Sequence, residues 1–99
     1  MFCIKIHRSR RTIVAICDSQ IIGKRFEDEK RQLDLRENFY KEKEISEQEL
    51  RKIIKMELRE DASFNIVGKE SVKIAIEEGA ISKDSSDEIS GISFALKLI

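Results

Sequence analysis

The stretch from Ala62 to Ile81 constrains this chain most, because its apolar pattern can be satisfied in few ways. Phe64-Asn65-Ile66-Val67 reads as a short buried strand, Gly68 as a corner, and the rest as one amphipathic helix ending at Gly79. Val72, Ala75 and Ile76 fall at i, i+3 and i+4, one face of a helix, while Lys69, Glu70, Lys73 and Glu77 fall mostly on the other. Gly79 lacks a Cβ, so it takes the left-handed conformation that closes a helix. Backbone N–H groups around Gly68 and Lys69 offer an anion a place in principle, yet one Gly-Lys pair lacks the spacing of a phosphate loop. The corner therefore reads as structural. Asn65 reads as a brace for nearby backbone, the common work of Asn at a turn. Asn65, Gly68 and Gly79 are thus expected to form a structural motif.

Residues 2–7 and 12–17 each alternate or run apolar, with Arg8-Ser9-Arg10-Arg11 between them, the pattern of a β-hairpin. A loop of Ser9, Arg10 and Arg11 sets Arg8 against Thr12, Ile4 against Ile16, Ile6 against Val14 and Cys3 against Cys17. Apolar then meets apolar on one face, which favours that register. A two-residue loop would shift every pair by one. Asp18-Ser19-Gln20 is a turn signal. Ile21 to Phe26 is expected as a third strand with Gly23 as a bulge, and Leu33-Asp34-Leu35 as a short fourth.

Ser46 opens the best-specified helix. Glu49 sits three residues on as the capping-box partner, and Ile45 can staple onto Leu50. Leu50, Ile53, Ile54 and Leu58 form its apolar stripe, and it should run to about Glu60. Ser82 to Ser90 reads as a polar loop. Ile92, Phe94, Leu96 and Leu98 then alternate strictly, predicting a last strand covered on that face by the helices.

At 99 residues the chain is expected to be a single domain. No apolar run of about 20 residues occurs, so no membrane span is expected, and the N-terminus is unlike a signal peptide. The default location is the cytoplasm. Charged residues make up 38% of the chain against about 25% in ordinary domains, a profile like that of proteins from hot environments with surface ion-pair networks. Net charge is zero, which argues against a strongly basic nucleic-acid binder. The balance is uneven, however. Residues 1–25 carry Lys5, Arg8, Arg10, Arg11, Lys24 and Arg25 against Asp18 alone, so one end is basic and hints at an anionic partner.

The residues also carry a family resemblance. Lys5 and His7 come first, then Val14-Ala15-Ile16-Cys17-Asp18, Gly23-Lys24 with Phe26, and Phe39-Tyr40. Asn65-Ile66-Val67-Gly68, Val72, Ala75-Ile76, Gly79, Ile89 and Gly91 follow. In order and spacing this resembles the archaeal family called domain of unknown function 424, over nearly the whole chain. The resemblance implies a small single-domain protein with a two-layer α+β fold. It implies no catalytic residues and no cofactor, and a suggested RNA-related role without a defined site. Lys41 to Glu44 and the polar loop before Gly91 depart from the family pattern.

The fold expected is α+β: a two-layer sandwich with an antiparallel or mixed sheet and two helices on one face. The leading functional expectation is a non-catalytic module binding RNA or a ribonucleoprotein. Arginine forks at the hairpin tip (Arg8, Arg10, Arg11), with Lys5, Lys24 and Arg25, would hold phosphates, and Phe39 or Tyr40 would stack a base. The alternative is a protein–protein adaptor or homodimer pairing an exposed strand edge. The third is a small enzyme using His7 or Cys17 beside a polarised neighbour. Cys3, Cys17 and His7 offer three soft ligands where zinc wants about four, so no metal is expected. A Cys3–Cys17 disulfide runs against a reducing compartment. Asp84, Asp87 and Glu88 lack the ligand order of a calcium loop.

Overall fold

The computed structural model describes residues 1–98. The first hairpin forms in the expected register. β1 (Phe2–Arg8) and β2 (Thr12–Asp18) run antiparallel with Cys3 opposite Cys17, Ile4 opposite Ile16 and Arg8 opposite Thr12. Two further strands extend the sheet beyond β2. β6 (Ser63–Val67) lies parallel to β2, and β8 (Ile92–Lys97) lies antiparallel to β6. Short edge strands close both sides: β5 (Lys43–Ile45) on β1 and β7 (Ser86–Ile89) on β8. The order β5-β1-β2-β6-β8-β7 makes a mixed sheet, and the expected α+β class holds.

Two helices cover one face. In α2 (Glu47–Arg59) the Ser46 hydroxyl accepts the Glu49 N–H at 3.2 Å, and Leu50, Ile53 and Ile54 are buried against Ile4, Val14, Ile16 and Phe64. Asp61, at φ 56, takes the left-handed position after the helix, where Asp61 N–H bonds Leu58 C=O and Ala62 N–H bonds Glu57 C=O. In α3 (Lys69–Glu77) Val72, Ile74 and Ala75 join the same core. Its end is built alike: Gly79 N–H reaches Ile76 C=O and Ala80 N–H reaches Ala75 C=O. Arg51 of α2 bonds Glu47 of its own helix at 3.0 Å and clamps the end of α3 through Glu77 at 2.7 Å and Glu78 at 2.8 Å.

The other face departs from expectation. Residues 21–26 do not add a third strand to the sheet. After the 3-10 turn Ser19–Ile21, β3 (Arg25–Glu27) pairs only with β4 (Gln32–Asp34) in a separate ribbon. Gly23, at φ 81, turns the chain out of strand geometry. Ile21, Ile22, Phe26, Leu33 and Leu35 then dock together on Cys3, Ala15, Cys17 and Val67. The one-turn helix α1 (Glu37–Tyr40) completes this lid.

Two further corrections concern the C-terminal hairpin. Residues 86–89, expected as loop, form β7, because Ser90 (φ 51) and Gly91 (φ 78) make a tight turn that sets Ile89 opposite Ile92. The apolar face of β8 is turned away from the helices. Its register sets Val67 opposite Phe94 and Ile66 opposite Ala95, so Ala95 meets the helices, while Ile92 and Phe94 pack under the lid. Leu96 and Leu98 are 54% and 73% exposed.

The N-terminus of α3 is tied to the end of β2. The buried Asp18 carboxylate accepts from Glu70 N–H at 3.2 Å, Ser71 N–H at 2.8 Å and the Ser71 hydroxyl at 2.5 Å. It caps a helix to which it is not contiguous, and Gly68, at φ 115, makes the approach possible. A Cβ on Gly68 would lie 2.3 Å from the Asp18 carboxyl carbon. The Glu70 and Ser71 amides at this corner are thus occupied by Asp18, and the Gly68 amide by Ser93 C=O. G68A is expected to lose about 2–4 kcal/mol of stability, from positive φ plus the collision. D18A should lose about 1–2 kcal/mol as a lost cap. Denaturant unfolding of both and of the double variant checks this, with G68A expected to cost less once the carboxylate is gone.

Candidate nucleic-acid interface

The Arg8–Arg11 turn lies where β1 ends and β2 begins, beside the C-terminal end of α2. Arg8 is partly drawn down from it: its guanidinium bonds Glu57 Oε2 at 2.9 Å, with Arg8 61% and Glu57 3% exposed. Glu57 raises Arg8 further above its ordinary value, by hydrogen bond and by charge. The other Glu57 oxygen, Oε1, is buried without a hydrogen-bond partner. The sequence held a signal for this pair. Glu57 falls four residues after Ile53 and three after Ile54, on the buried stripe, where a carboxylate needs a cation. Arg10 and Arg11 are exposed at the tip, where the Ser9 hydroxyl donates to Arg11 C=O at 3.3 Å.

Lys5 and His7 project from β1 onto the lid side of the sheet. Lys5 Nζ donates to Asn38 C=O at 2.8 Å. His7 Nε2 lies 2.8 Å from Phe39 C=O, so that nitrogen carries the proton. The His7 ring stacks on Phe39 at 4.5 Å. Phe39 is half-buried and meets Tyr40 edge-on at 4.9 Å. Tyr40 itself is buried, and its hydroxyl donates to Asn65 Oδ1 at 3.0 Å. Asn65 thus ties the lid to β6 rather than bracing its own turn, and the Tyr40 ring is spent inside the molecule.

Lys24 and Arg25 do not join the tip. Ser19 N–H bonds Met1 C=O, and Glu27 C=O accepts from the Ser90 hydroxyl, which sets β3 beside the other end of the sheet. The length of β2 separates the two basic groups, about 20 Å. Arg25 also lies against Glu27 and Gln32. The structure therefore sets Arg8, Arg10 and Arg11 at the turn, with Arg8 drawn to the helix side and Lys5 to the lid side, and leaves Lys24, Arg25 and Tyr40 elsewhere. Asp87 and the Glu88 carbonyl are engaged by Arg31 at 2.7 and 3.2 Å.

The two cysteines are buried and free. Burial above all, then the charges of Cys3 and Asp18, pushes the Cys17 thiol from 9.0 to about 12. Burial, then Cys17, pushes Tyr40 from 10.0 to about 12, against a lowering hydrogen bond from Asn65. A thiol so placed presents no thiolate to a substrate near neutrality. Among the described residues no group of three His, Cys, Asp or Glu side chains converges as a metal site, and no helix is long and apolar enough to cross a membrane.

These features define a class: a small α+β module whose sheet carries helices on one face and an irregular lid on the other. The chain belongs to the family described as "Protein of unknown function (DUF424)", whose sequence profile matches residues 7–97. Its fold is similar to that of an uncharacterized conserved protein from Methanopyrus kandleri, seen in a crystal structure. The TM-score is 0.84 at 21% identity, over 96% of this chain and 88% of that one. No curated protein matches the sequence.

The raised Cys17 and Tyr40 values have a consequence for stability. The folded state holds both protons more tightly than the unfolded state does. Their contribution is therefore fully present below pH 9.0 and is lost as pH rises toward about 12. Denaturation midpoints measured across that window are expected to fall, and C17A and Y40F should each fall less steeply than the parent.

Proposed function

We propose that this protein is a non-catalytic binding module that holds RNA, free or in a ribonucleoprotein, at its hairpin end. The observation that carries the reading is the exposed turn with arginines at 8, 10 and 11, flanked on the lid side by Lys5 and the His7–Phe39 ring stack. Arginine forks hold phosphate oxygens, and a half-buried Phe39 offers a ring edge to an unpaired base. The reading assigns no role to Lys24, Arg25 or Tyr40. The Arg8 guanidinium is held by Glu57, and this reading assigns the phosphate contacts to Arg10 and Arg11 at the exposed tip.

Two contacts to a single strand correspond to a log–log salt slope of about −1.4. Titration of a short unstructured RNA at several salt levels is expected to give that slope. The pair R10A/R11A should abolish binding, and K24A/R25A should leave it unchanged. No binding at low salt, or equal loss in both pairs, overturns the reading.

A further inference from the structure

The outer edge of β1 is only half covered. β5 pairs with Phe2, Cys3 and Ile4 and goes no further, its run ending where Glu42 N–H meets Ile4 C=O at 2.9 Å. In an antiparallel ladder each residue turns both backbone groups to one side, and successive residues alternate. Ser19 N–H donating to Met1 C=O sets the phase, so Cys3, Lys5 and His7 face β2. Ile4 turns its carbonyl to Glu42, and Ile6 and Arg8 follow the same phase outward. No strand lies there, and among the described residues the backbone groups of Ile6 and Arg8 find no partner on that side. Beside this edge opens a notch of about 420 Å³ lined by Ile4, Ile6, Arg8, Glu42, Lys43 and Ile53.

We infer that the β1 edge at Ile6–Arg8 is a docking site for an extended, acid-flanked peptide segment of a protein partner, which adds as a strand. The unpaired N–H and C=O groups of Ile6 and Arg8 recur at the two-residue spacing that only another extended backbone matches. Ile4, Ile6 and Ile53 give alternate peptide side chains an apolar floor, and a nucleic acid has nothing to set there. Arg10 beyond one end and Lys43, 3.8 Å from Glu49, at the other supply cations for acidic flanks, while Arg8 is held by Glu57. A second copy of the chain fits worse. Pairing Ile6–Arg8 with itself in antiparallel carries each turn toward the Ile4 end of the other copy, where β5 already fills the edge.

This inference shares tip charge with the RNA reading but is tested apart from it, since R10A/R11A leaves the β1 backbone in place. The probe is a heptapeptide of alternating valine and threonine with a glutamate at each end. Its control carries N-methyl groups on the backbone edge that would bond β1. Amide exchange followed by NMR on the intact chain reads the result. In the free protein the Ile6 and Arg8 amides should exchange about 100-fold faster than those of Lys5 and His7. The probe should slow Ile6 and Arg8 by about tenfold or more while the methylated control leaves them unchanged. I6P, which removes an outward donor without touching the β1–β2 ladder, should lose the effect. Slow exchange of Ile6 and Arg8 in the free chain, equal action of both peptides, or protection of these amides by a short RNA overturns the inference.

Discussion

The Asp18 carboxylate is the point on which the two halves of this structure meet. It stands at the end of the first hairpin and closes the amide groups at the start of α3, 52 and 53 residues further along the chain. A local cap would fix the helix to its own strand. A cap delivered from β2 fixes the helix to the neighbouring strand, and so locks the parallel β2–β6 pairing that joins hairpin to helix unit. The geometry leaves room for no side chain at position 68. Asp18 and Gly68 are therefore one device, and the negative charge at the helix start suits the macrodipole as well.

That lock has a consequence for the layers. With β2 and β6 in register, Val14, Ile16, Phe64 and Ile66 all face α2 and α3, while Ala15, Cys17 and Val67 face the other way. The second face is apolar too, so it needs cover. Residues 19–40 supply it without a long helix or a strand of the main sheet, using a glycine turn, a two-stranded ribbon and one helical turn. The lid stops short of the hairpin tip. There it leaves Lys5, His7 and Phe39 half-covered, with Lys5 bonded to the Asn38 carbonyl and His7 to the Phe39 carbonyl. The candidate interface is thus the rim of the lid, where cover ends.

Much of this was legible in the residues. The hairpin register followed from matching apolar pairs, and both long helices from their stripes and stops. The strand Phe64–Val67 followed from its position between a turn and a glycine. What was not legible rested on pairing decided elsewhere. Leu96 and Leu98 look like core by alternation, yet the β6–β8 register sends the small Ala95 to the helices instead, and a shift of one residue exchanges the faces. Residues 21–26 look like a strand because Ile21, Ile22 and Phe26 are apolar, but they bury those side chains as a lid. The β7 strand was hidden in a polar run, though Ser90-Gly91 between two isoleucines was a usable turn signal. Charge was the least legible property, since sequence proximity joined Lys24 and Arg25 to the tip arginines that the length of β2 keeps apart.

The ion pairs also show how the charges of a molecule with zero net charge are distributed. Arg51 gathers Glu47, Glu77 and Glu78 on the helix side, and Arg31 gathers Asp28 and Asp87 on the lid side. Five carboxylates of the later chain are thus gathered in two local networks. At the hairpin, Glu57 takes Arg8 from a buried position with one oxygen left unbonded. A buried carboxylate satisfied at only one oxygen is costly, so the Arg8 guanidinium is held firmly at the base of the tip. That anchorage holds the Arg8 guanidinium in place, and it also fixes the backbone at Arg8, the far end of the β1 edge that β5 leaves unpaired. The same ion pair therefore weakens the tip as a simple electrostatic patch and stiffens the edge beside it as a template for another strand.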